Sequence, residues 1–444
     1  MTTPGWHSVR FIGYALPTSP AQMSTLGGPN GGGAFGGTYL GLPDAAADIA
    51  GRMGILRSAV ETARAALPAQ ESGVLNVFVA PEFFWHGAQG PYLHATDGPD
   101  PIVHLQERLA EEFSPADYPD WLFVFGTAVS AAADDVREVF SRTTTLVRNG
   151  VVADLAHRYR QADGEDAAKI FEVVEDYLQW GHAHPVLQVR NRAIIQGPDL
   201  GTAAGVFAGA PASATTEKYY DAAADFVLWD TTGRDDVVTE QMIAHPYIDL
   251  SAGDLKRAAG DPHAILRLAP DAVTPVDVGV EICLDHADAR LRRGLPRNRW
   301  PRDAGEGLEL QIVPSCGAVL APASLAAAAG GYVFHVDGQS AVGDGVSPAG
   351  AGVVYGVRCA FGSYIDPANP RYQAHSQLAR VAQAAVGGEV KSPSSAPAAL
   401  ERLPADTVSI LPLSPRPTHD TFFAGGPGAL HVFGLNAPLP LRSS

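Results

Sequence analysis

The sequence predicts an α/β protein whose β-sheets are mixed rather than purely parallel. Short apolar runs typical of buried strands alternate along the chain with stretches whose apolar residues recur at helical spacing. An Asn149-Gly150 pair within the apolar segment Thr143 to Val152 indicates a hairpin, and hairpins require antiparallel pairing. We find no internal repeat and no interdomain linker, so a single domain over residues 1–444 is expected.

The N-terminal quarter predicts a strand, a loop, a helix and a second strand. Ser8 to Leu16 is apolar and β-prone, and the glycine-rich stretch from Gly27 to Gly37 predicts a loop that lacks the lysine of a P-loop. Helical spacing of apolar residues predicts a helix within Pro43 to Leu67. The run Gly73 to Ala80 is short and apolar and ends at Pro81, which predicts a buried strand.

The same alternation continues toward the C-terminus. A helix is predicted around Val103 to Glu112, and strands are predicted at Trp121 to Gly126, Val186 to Gln196, Val276 to Cys283, Leu308 to Pro314, Tyr332 to Val336 and Gly352 to Val357. Residues 162–185 (acidic, helical in pattern) and 231–275 (polar, irregular) are interpreted as insertions, and a C-terminal extension is expected from about residue 360.

Composition excludes several classes of protein. The formal net charge of −17, from 48 acidic and 31 basic residues, disfavours a nucleic-acid partner, because such binding depends on clustered cations. No apolar run is long enough for a membrane span and no signal peptide is recognisable, so we expect no membrane partner and a cytoplasmic location. The three cysteines fit neither a disulfide framework nor a zinc site, and His86, His182 and His184 lack companion ligands, so no metal and no other cofactor is expected.

Two segments carry candidate catalytic groups at strand ends. In Gly279-Val-Glu-Ile-Cys-Leu-Asp-His286 an apolar strand stops at Cys283, although a buried structural cysteine is an equally ordinary interpretation. In Val77-Phe-Val-Ala-Pro-Glu-Phe-Phe-Trp85 another strand ends before Glu82. A carboxylate among large aromatic side chains is suited to exchange protons near neutral pH, although a charged residue at a strand end is common. The conjunction of the two segments favours a functional interpretation.

These segments resemble the glutamate and cysteine motifs of the nitrilase (carbon–nitrogen hydrolase) superfamily. The resemblance lies in Ala80-Pro-Glu-Phe-Phe84 and Gly279-x-x-Ile-Cys-x-Asp285, with weaker matches at Phe125-Gly-Thr127 and Val313-Pro-Ser315. It spans roughly Ser8 to Val357. It implies a four-layer α-β-β-α sandwich with two mixed sheets, and an assembly of two or more copies.

The resemblance also implies a lysine between the glutamate and the cysteine. Lys218 fits best, because it follows the strand-like segment at Val189 to Ile195; Lys169 and Lys256 are the alternatives. The spacing from Glu82 to Lys218 and from Lys218 to Cys283 is longer than is usual in the family, which the two insertions would explain.

Substrate contacts are assigned more broadly. A second family glutamate that positions substrate is matched by Glu281, with Glu217 and Glu240 as alternatives. The remaining predicted contacts are Trp85, Tyr219, Leu284 through its N–H, Asp285 and His286. A Cys-His-Asp arrangement of Cys283, His286 and Asp285 is disfavoured, because residues so close in sequence cannot readily face one another in that order.

The implied reaction is hydrolysis of a small amide or nitrile through a thioester on Cys283, with Glu82 as base and Lys218 stabilising the oxyanion. An amide is preferred over a nitrile as the commoner substrate class. Two alternatives stay open, namely acyl transfer to an amine through the same intermediate, and an inactive protein that keeps the fold for binding.

Overall fold

The computed structural model describes the chain in nineteen ranges. These are residues 5–19, 21–26, 34–68, 71–88, 90–133, 186–198, 200–202, 213–218, 238–241, 264–268, 275–287, 289–294, 307–318, 320–339, 356–359, 374–386, 396–401, 403–424 and 426–441. Among these residues no helix is both long and apolar enough to cross a membrane. The predicted hairpin at Thr143 to Val152 lies outside them.

Strands and helices are numbered here along the described chain. The strands are β1 (Ser8–Ala15), β2 (Ala21–Leu26), β3 (Ala34–Thr38), β4 (Val74–Val79), β5 (Tyr92–Ala95), β6 (Trp121–Ala133), β7 (Val186–Gln196), β8 (Leu200–Thr202), β9 (Ser213–Glu217), β10 (Val238–Gln241), β11 (Ile265–Leu268), β12 (Val276–Val280), β13 (Leu308–Ser315), β14 (Ala327–Asp337), β15 (Gly356–Cys359), β16 (Ala374–Gln383), β17 (Ala399–Glu401), β18 (Val408–Pro412), β19 (Ala429–Phe433) and β20 (Leu439–Pro440). The helices are α1 (Ala45–Ala66), α2 (Pro101–Glu112), α3 (Leu284–Ala287), α4 (Arg290–Gly294) and α5 (His419–Phe422).

Most of these strands form two sheets, and both sheets are mixed. The first sheet has the order β10-β7-β6-β4-β1-β19-β18, and the second has the order β15-β16-β14-β13-β12-β11-β8. In the first sheet β1, β4 and β6 are parallel, β7 runs antiparallel to β6 and parallel to β10, and β19 runs antiparallel to β1 and β18. In the second, β12, β13 and β14 are parallel and β11 and β16 antiparallel. The predicted α/β class with mixed sheets is confirmed.

The two sheets pack face to face over an apolar core. Alternate residues of β1 and β4, such as Phe11 and Val77, meet Ile312 and Phe334 of the second sheet in this core, as the two-residue repeat of a strand requires. The other face of the first sheet packs against α1 and α2, where Leu56 of α1 is fully buried. The structure thus has a helical layer and two sheet layers in the described residues.

Both long helices begin at the expected capping residues. The side chain of Asp44 accepts a hydrogen bond from the N–H of Ala47 at the start of α1. Asp100 accepts one from Ile102 at the start of α2, and Pro101 occupies the first position, where no N–H is needed. The predicted helices are confirmed.

Three segments differ from the sequence prediction. Part of the glycine-rich loop is the strand β3, which pairs with β2. Residues 231–275, interpreted as an irregular insertion, contribute β10 to the first sheet and β11 to the second. Beyond residue 360, strands join both sheets, and β19 pairs with β1 inside the first one. The sequence pattern missed β3, β10, β11 and β19 because each has only four or five residues, which is too few to show a clear periodicity.

Candidate active site

Glu82 lies on a tight turn that follows β4. The turn is held from both sides, because Thr18 Oγ1 donates to the carbonyl oxygen of Glu82 at 2.6 Å and the N–H of Phe83 donates to Thr127 Oγ1 at 2.9 Å. Phe83 has a φ of 59°, which is uncommon for a residue with a side chain and indicates local backbone strain. The turn therefore directs the Glu82 side chain into the space between the sheets.

Gly126 makes this turn possible. Its φ is +75°, and a Cβ atom at this position would lie 2.3 Å from the carbonyl oxygen of Pro81. Any other residue would be strained and would push the Glu82 turn away from β6.

The carboxylate of Glu82 is fully buried and accepts hydrogen bonds on both oxygens. Lys218 Nζ and Asn191 Nδ2 each lie 2.9 Å from Oε1, and the N–H of Cys316 lies 3.1 Å from Oε2. The sequence suggested aromatic surroundings, but these partners are polar and two of them were not predicted.

Lys218 immediately follows β9 and is also fully buried. Its N–H donates to the carbonyl oxygen of Asn191 at 2.8 Å, so β7 fixes both its backbone and, through the Asn191 side chain, its partner Glu82. The ammonium lies 5.8 Å from the centre of the Phe83 ring. Lys169 and Lys256, the alternative lysines, lie outside the described residues.

Cys283 lies just beyond β12 in a conformation rarely found in residues with a side chain. Its φ is 46°, it is not in a disulfide, and only 4% of its surface is exposed. Its N–H donates to Pro314, and its carbonyl oxygen accepts from the N–H of His286 at 2.9 Å. Leu284, half-buried, begins α3 directly after it. Strain of this kind clusters at functional sites.

Glu82 and Cys283 are bound to the same short piece of backbone. The N–H of Cys283 donates to the carbonyl oxygen of Pro314 at 3.1 Å, and the N–H of Glu82 donates to that of Ser315 at 3.3 Å. The next residue, Cys316, then donates its own N–H to the Glu82 carboxylate. The end of β13 is therefore the common support for a residue of each sheet.

Glu281 and His286 form a buried pair that faces local partners. Glu281 Oε1 lies 2.6 Å from His286 Nδ1 and 2.5 Å from Gln311 Nε2, and its Oε2 accepts from the N–H of Leu291 at 3.1 Å. Because the N–H of Ala321 donates to His286 Nε2, the ring proton is on Nδ1. These contacts hold the turn after Cys283 in place.

Asp285 is bound to Arg290 rather than directed toward a site for substrate. Arg290 Nη1 donates to Asp285 Oδ2 at 2.8 Å and to the carbonyl oxygen of Glu217 at 2.5 Å. The carboxylate of Glu217, an alternative positioning glutamate, is occupied by Arg190 at 2.9 and 2.8 Å. Glu240, the other alternative, lies in β10.

Trp85 and Cys283 lie in different apolar cores. The ring of Trp85 is fully buried between the first sheet and the helices, and its indole N–H donates to the carbonyl oxygen of Phe125 at 2.8 Å. Cys283 packs in the other core, between the two sheets. Phe83, two residues before Trp85, has the left-handed conformation, and a contact of Trp85 with substrate stays a prediction. Tyr219 lies outside the described residues.

A buried cluster behind Cys316 has the donor types of a metal site. His335, Asp337 and His375 place one donor atom each within 4.8 Å of one another. However, the two oxygens of Asp337 already accept hydrogen bonds from three main-chain N–H groups, those of Gly317, Ala318 and Gln339, and Ser315 Oγ bridges His335 and Asp337. We therefore interpret the cluster as a hydrogen-bonded support for the turn at Cys316. Sequence reasoning missed it because its members come from separate strands.

The thiol of Cys316 differs chemically from an activated nucleophile. Burial, with the negative charges of Asp337 and Glu82, raises the pKa of Cys316 well above its ordinary value. A thiol in this state reacts slowly, because the thiolate is the nucleophilic form. Of Cys283 and Cys316, Cys283 is the one in a strained backbone conformation.

Fold and site together define a two-sheet α/β protein with a buried glutamate–lysine pair that shares its backbone support with a cysteine. The sequence matches no family model and no curated protein. Among solved structures, the chain is similar to the crystal structure of Saccharomyces cerevisiae Nit3, a member of branch 10 of the nitrilase superfamily. The two are 11% identical with a TM-score of 0.32, over 84% of this chain and 90% of that one. A likeness this weak does not decide the family, so a function has to be argued from the site.

Proposed function

We propose that this protein is a thiol hydrolase that cleaves a non-peptide carbon–nitrogen bond, with Cys283 as nucleophile, Glu82 as general base and Lys218 as oxyanion stabiliser. The observation that carries the proposal is the buried contact between Glu82 Oε1 and Lys218 Nζ at 2.9 Å. Cys283 shares a backbone support with Glu82 through Pro314 and Ser315. A buried cation and carboxylate are costly to keep in the interior, and a role in chemistry at the Cys283 thiol would account for them.

The reaction proceeds through a thioester. Glu82 removes the proton of the Cys283 thiol, and the thiolate attacks the amide carbon, so that a C–S bond forms and the carbonyl oxygen becomes an oxyanion. Lys218 and the N–H of Leu284 stabilise this oxygen. The C–N bond then breaks while Glu82 returns the proton to the leaving nitrogen.

Water releases the product. Glu82 takes a proton from water, the hydroxide attacks the thioester, and the C–S bond breaks to give a carboxylic acid and the thiol of Cys283. An amide is the preferred substrate, and a nitrile would pass through the same thioester after one added water. The proposal also includes the four-layer fold, in which a further layer of helices covers the outer face of the second sheet.

Thiol labelling tests the nucleophile. Brief exposure of the protein to a limiting alkylating reagent at pH 7, followed by peptide mass spectrometry, should modify Cys283 faster than Cys316. Glu82→Gln should slow the labelling of Cys283. If Cys283 labels no faster than Cys316, the thiol is not activated and the hydrolase proposal fails.

Ammonia release tests the reaction. A panel of small amides and nitriles should identify a substrate whose turnover is abolished by Cys283→Ala and reduced at least 100-fold by Glu82→Gln or Lys218→Met. Cys316→Ala is the matched control and should retain turnover, because only the main-chain N–H of Cys316 contacts Glu82. Hydroxylamine added with the substrate should yield a hydroxamate, which would show that an acyl group was held on the enzyme. Turnover by Cys283→Ala would contradict the mechanism.

A further inference from the structure

Arg290 connects the turn after Cys283 with the peptide that precedes Lys218. It is the first residue of α4 and is 5% exposed. Its Nη1 lies 2.8 Å from Asp285 Oδ2 and 2.5 Å from the carbonyl oxygen of Glu217. Asp285 lies in α3, which follows a strand of the second sheet, and Glu217 ends β9 of the first sheet. One guanidinium therefore joins the two sheets at the site.

We propose that Arg290 is a positioning residue that sets where Lys218 lies relative to Cys283. The proposal rests on the proposed function, since it gives a role to the lysine of that mechanism. Arg290 acts through Asp285 and the carbonyl oxygen of Glu217.

The hydrogen bond from Arg290 to the carbonyl oxygen of Glu217 fixes the plane of the peptide that precedes Lys218. The carbonyl oxygen of Glu217 belongs to the peptide bond whose N–H is that of Lys218, and this N–H donates to the carbonyl oxygen of Asn191. The peptide is thus held at its oxygen by Arg290 and at its nitrogen by β7. Because this peptide is held at both ends, the direction in which the Lys218 side chain leaves the backbone is fixed.

The contact on the cysteine side fixes a turn. Asp285 is fully buried, and its N–H donates to the carbonyl oxygen of Ile282 at 2.9 Å, so the residues around Cys283 form a closed turn. The guanidinium binds the carboxylate of this turn as an ion pair. Ala289, directly before Arg290, has a φ of 55°, so the backbone is strained at the position that directs the arginine.

The charge of Arg290 is balanced by Asp285, because the carboxylate of Glu217 is bound by Arg190 instead. Two arginines thus contact the same residue in different ways, Arg190 its side chain and Arg290 its backbone. This difference supplies a matched control, since Arg190→Lys alters a neighbouring ion pair and leaves the bond to the Glu217 carbonyl in place.

The test measures the pH dependence of Cys283 alkylation by iodoacetamide in the full-length protein. Lys218→Met should change the rate at pH 7 by at least fivefold, because the cation near the thiolate is removed. Arg290→Lys keeps the charge but lacks the forked guanidinium, and should change the rate in the same direction by at least threefold. Arg190→Lys should leave the rate within twofold. In the double variant, Arg290→Lys should add nothing to Lys218→Met.

The experiment distinguishes failure of the proposed function from failure of the positioning role of Arg290. If Lys218→Met leaves the labelling of Cys283 unchanged, the lysine does not act on the thiol. It then cannot stabilise an oxyanion formed at that thiol, and the proposed function itself is contradicted. If Lys218→Met changes the labelling but Arg290→Lys does not, or if the two effects add, Arg290 is a structural residue and only the positioning role is overturned. With Arg290→Gly, millimolar guanidinium should restore the rate of the parent protein, and a lack of such rescue would count against the role.

Discussion

The ammonium of Lys218 lies 2.9 Å from a carboxylate oxygen of Glu82, although 136 residues separate the two in the chain. Both side chains are fully buried. Removing one partner would leave an unpaired charge in the interior, which costs far more than replacing both.

This contact predicts strong coupling in stability. Lys218→Met and Glu82→Gln should each lower the free energy of unfolding, Lys218→Met by about 3–5 kcal/mol because it leaves a buried anion. The double variant should be less destabilised than the sum of the two single ones. Urea unfolding of all four proteins measures the coupling, and additive losses would show that the two groups do not interact.

A glycine prediction concerns the turn that carries Glu82. Gly126→Ala should destabilise the protein by more than about 1 kcal/mol, because φ is positive and the new Cβ would meet the carbonyl oxygen of Pro81. Gly54→Ala is the matched control, since it lies within α1 and a Cβ there has nothing within 4 Å. It should stabilise by about 0.5–1 kcal/mol. Thermal or urea unfolding distinguishes the two, and a neutral Gly126→Ala would contradict the described turn.

A third prediction concerns the reactivity of Cys316. Because the negative charge of Asp337 contributes to the raised pKa of this thiol, Asp337→Asn should lower that pKa and speed alkylation of Cys316 at pH 8. The hydrogen bond with Thr18 lowers the pKa of Cys316, so Thr18→Val should raise that pKa and slow the alkylation of Cys316. The rates are measured in a Cys283→Ala background. Equal alkylation rates in the Cys283→Ala protein and in its Asp337→Asn and Thr18→Val derivatives would mean that Cys316 is not near Asp337 and Thr18.

Acid should destabilise the fold through buried histidines. Burial, with His375 adding to it, lowers the pKa of His431 to about 3, and burial with Arg52 lowers the pKa of His86 well below its ordinary value. The unfolded chain therefore binds more protons than the folded one below about pH 6.5, and stability falls as the pH falls.

The expected slope is up to about 1.4 kcal/mol per pH unit for each such histidine between about pH 6 and pH 4. Urea unfolding at a series of pH values should show a smaller slope for His431→Gln than for the parent. His104→Gln is the control, because the side chain of His104 is 53% exposed. An unchanged slope in His431→Gln would contradict the lowered pKa.

Local patterns predicted the elements that are long or strongly periodic. The segments assigned to β1, β4, β7 and α1 agree with the structure to within two or three residues at each end. Helical and strand periodicities are local properties. The short strands β9 and β11 have only five and four residues, which is too few to show a clear alternation.

The site could be predicted only in part. Sequence patterns place Glu82 and Cys283 at strand ends, but they do not indicate which donors surround Glu82. Asn191 and the N–H of Cys316 were missed for that reason. The left-handed turn at Phe83, between Glu82 and Trp85, is not indicated by a glycine in the sequence. Arg290 has no local signature, since its partner in the first sheet is a carbonyl oxygen 73 residues away.

The position of β19 bears on how a nascent chain can fold. This strand, residues Ala429–Phe433, covers one edge of β1, which lies at the other end of the sequence. Until a ribosome has synthesised residue 433 and released it from the exit tunnel, β1 has an uncovered edge of unpaired N–H and C=O groups. Such an edge can recruit strands from other chains, and contacts this distant in sequence form slowly. Translation therefore leaves the first sheet open from the synthesis of β1 until that of β19, and during this interval the uncovered edge is a binding site for chaperones that recognise exposed strands.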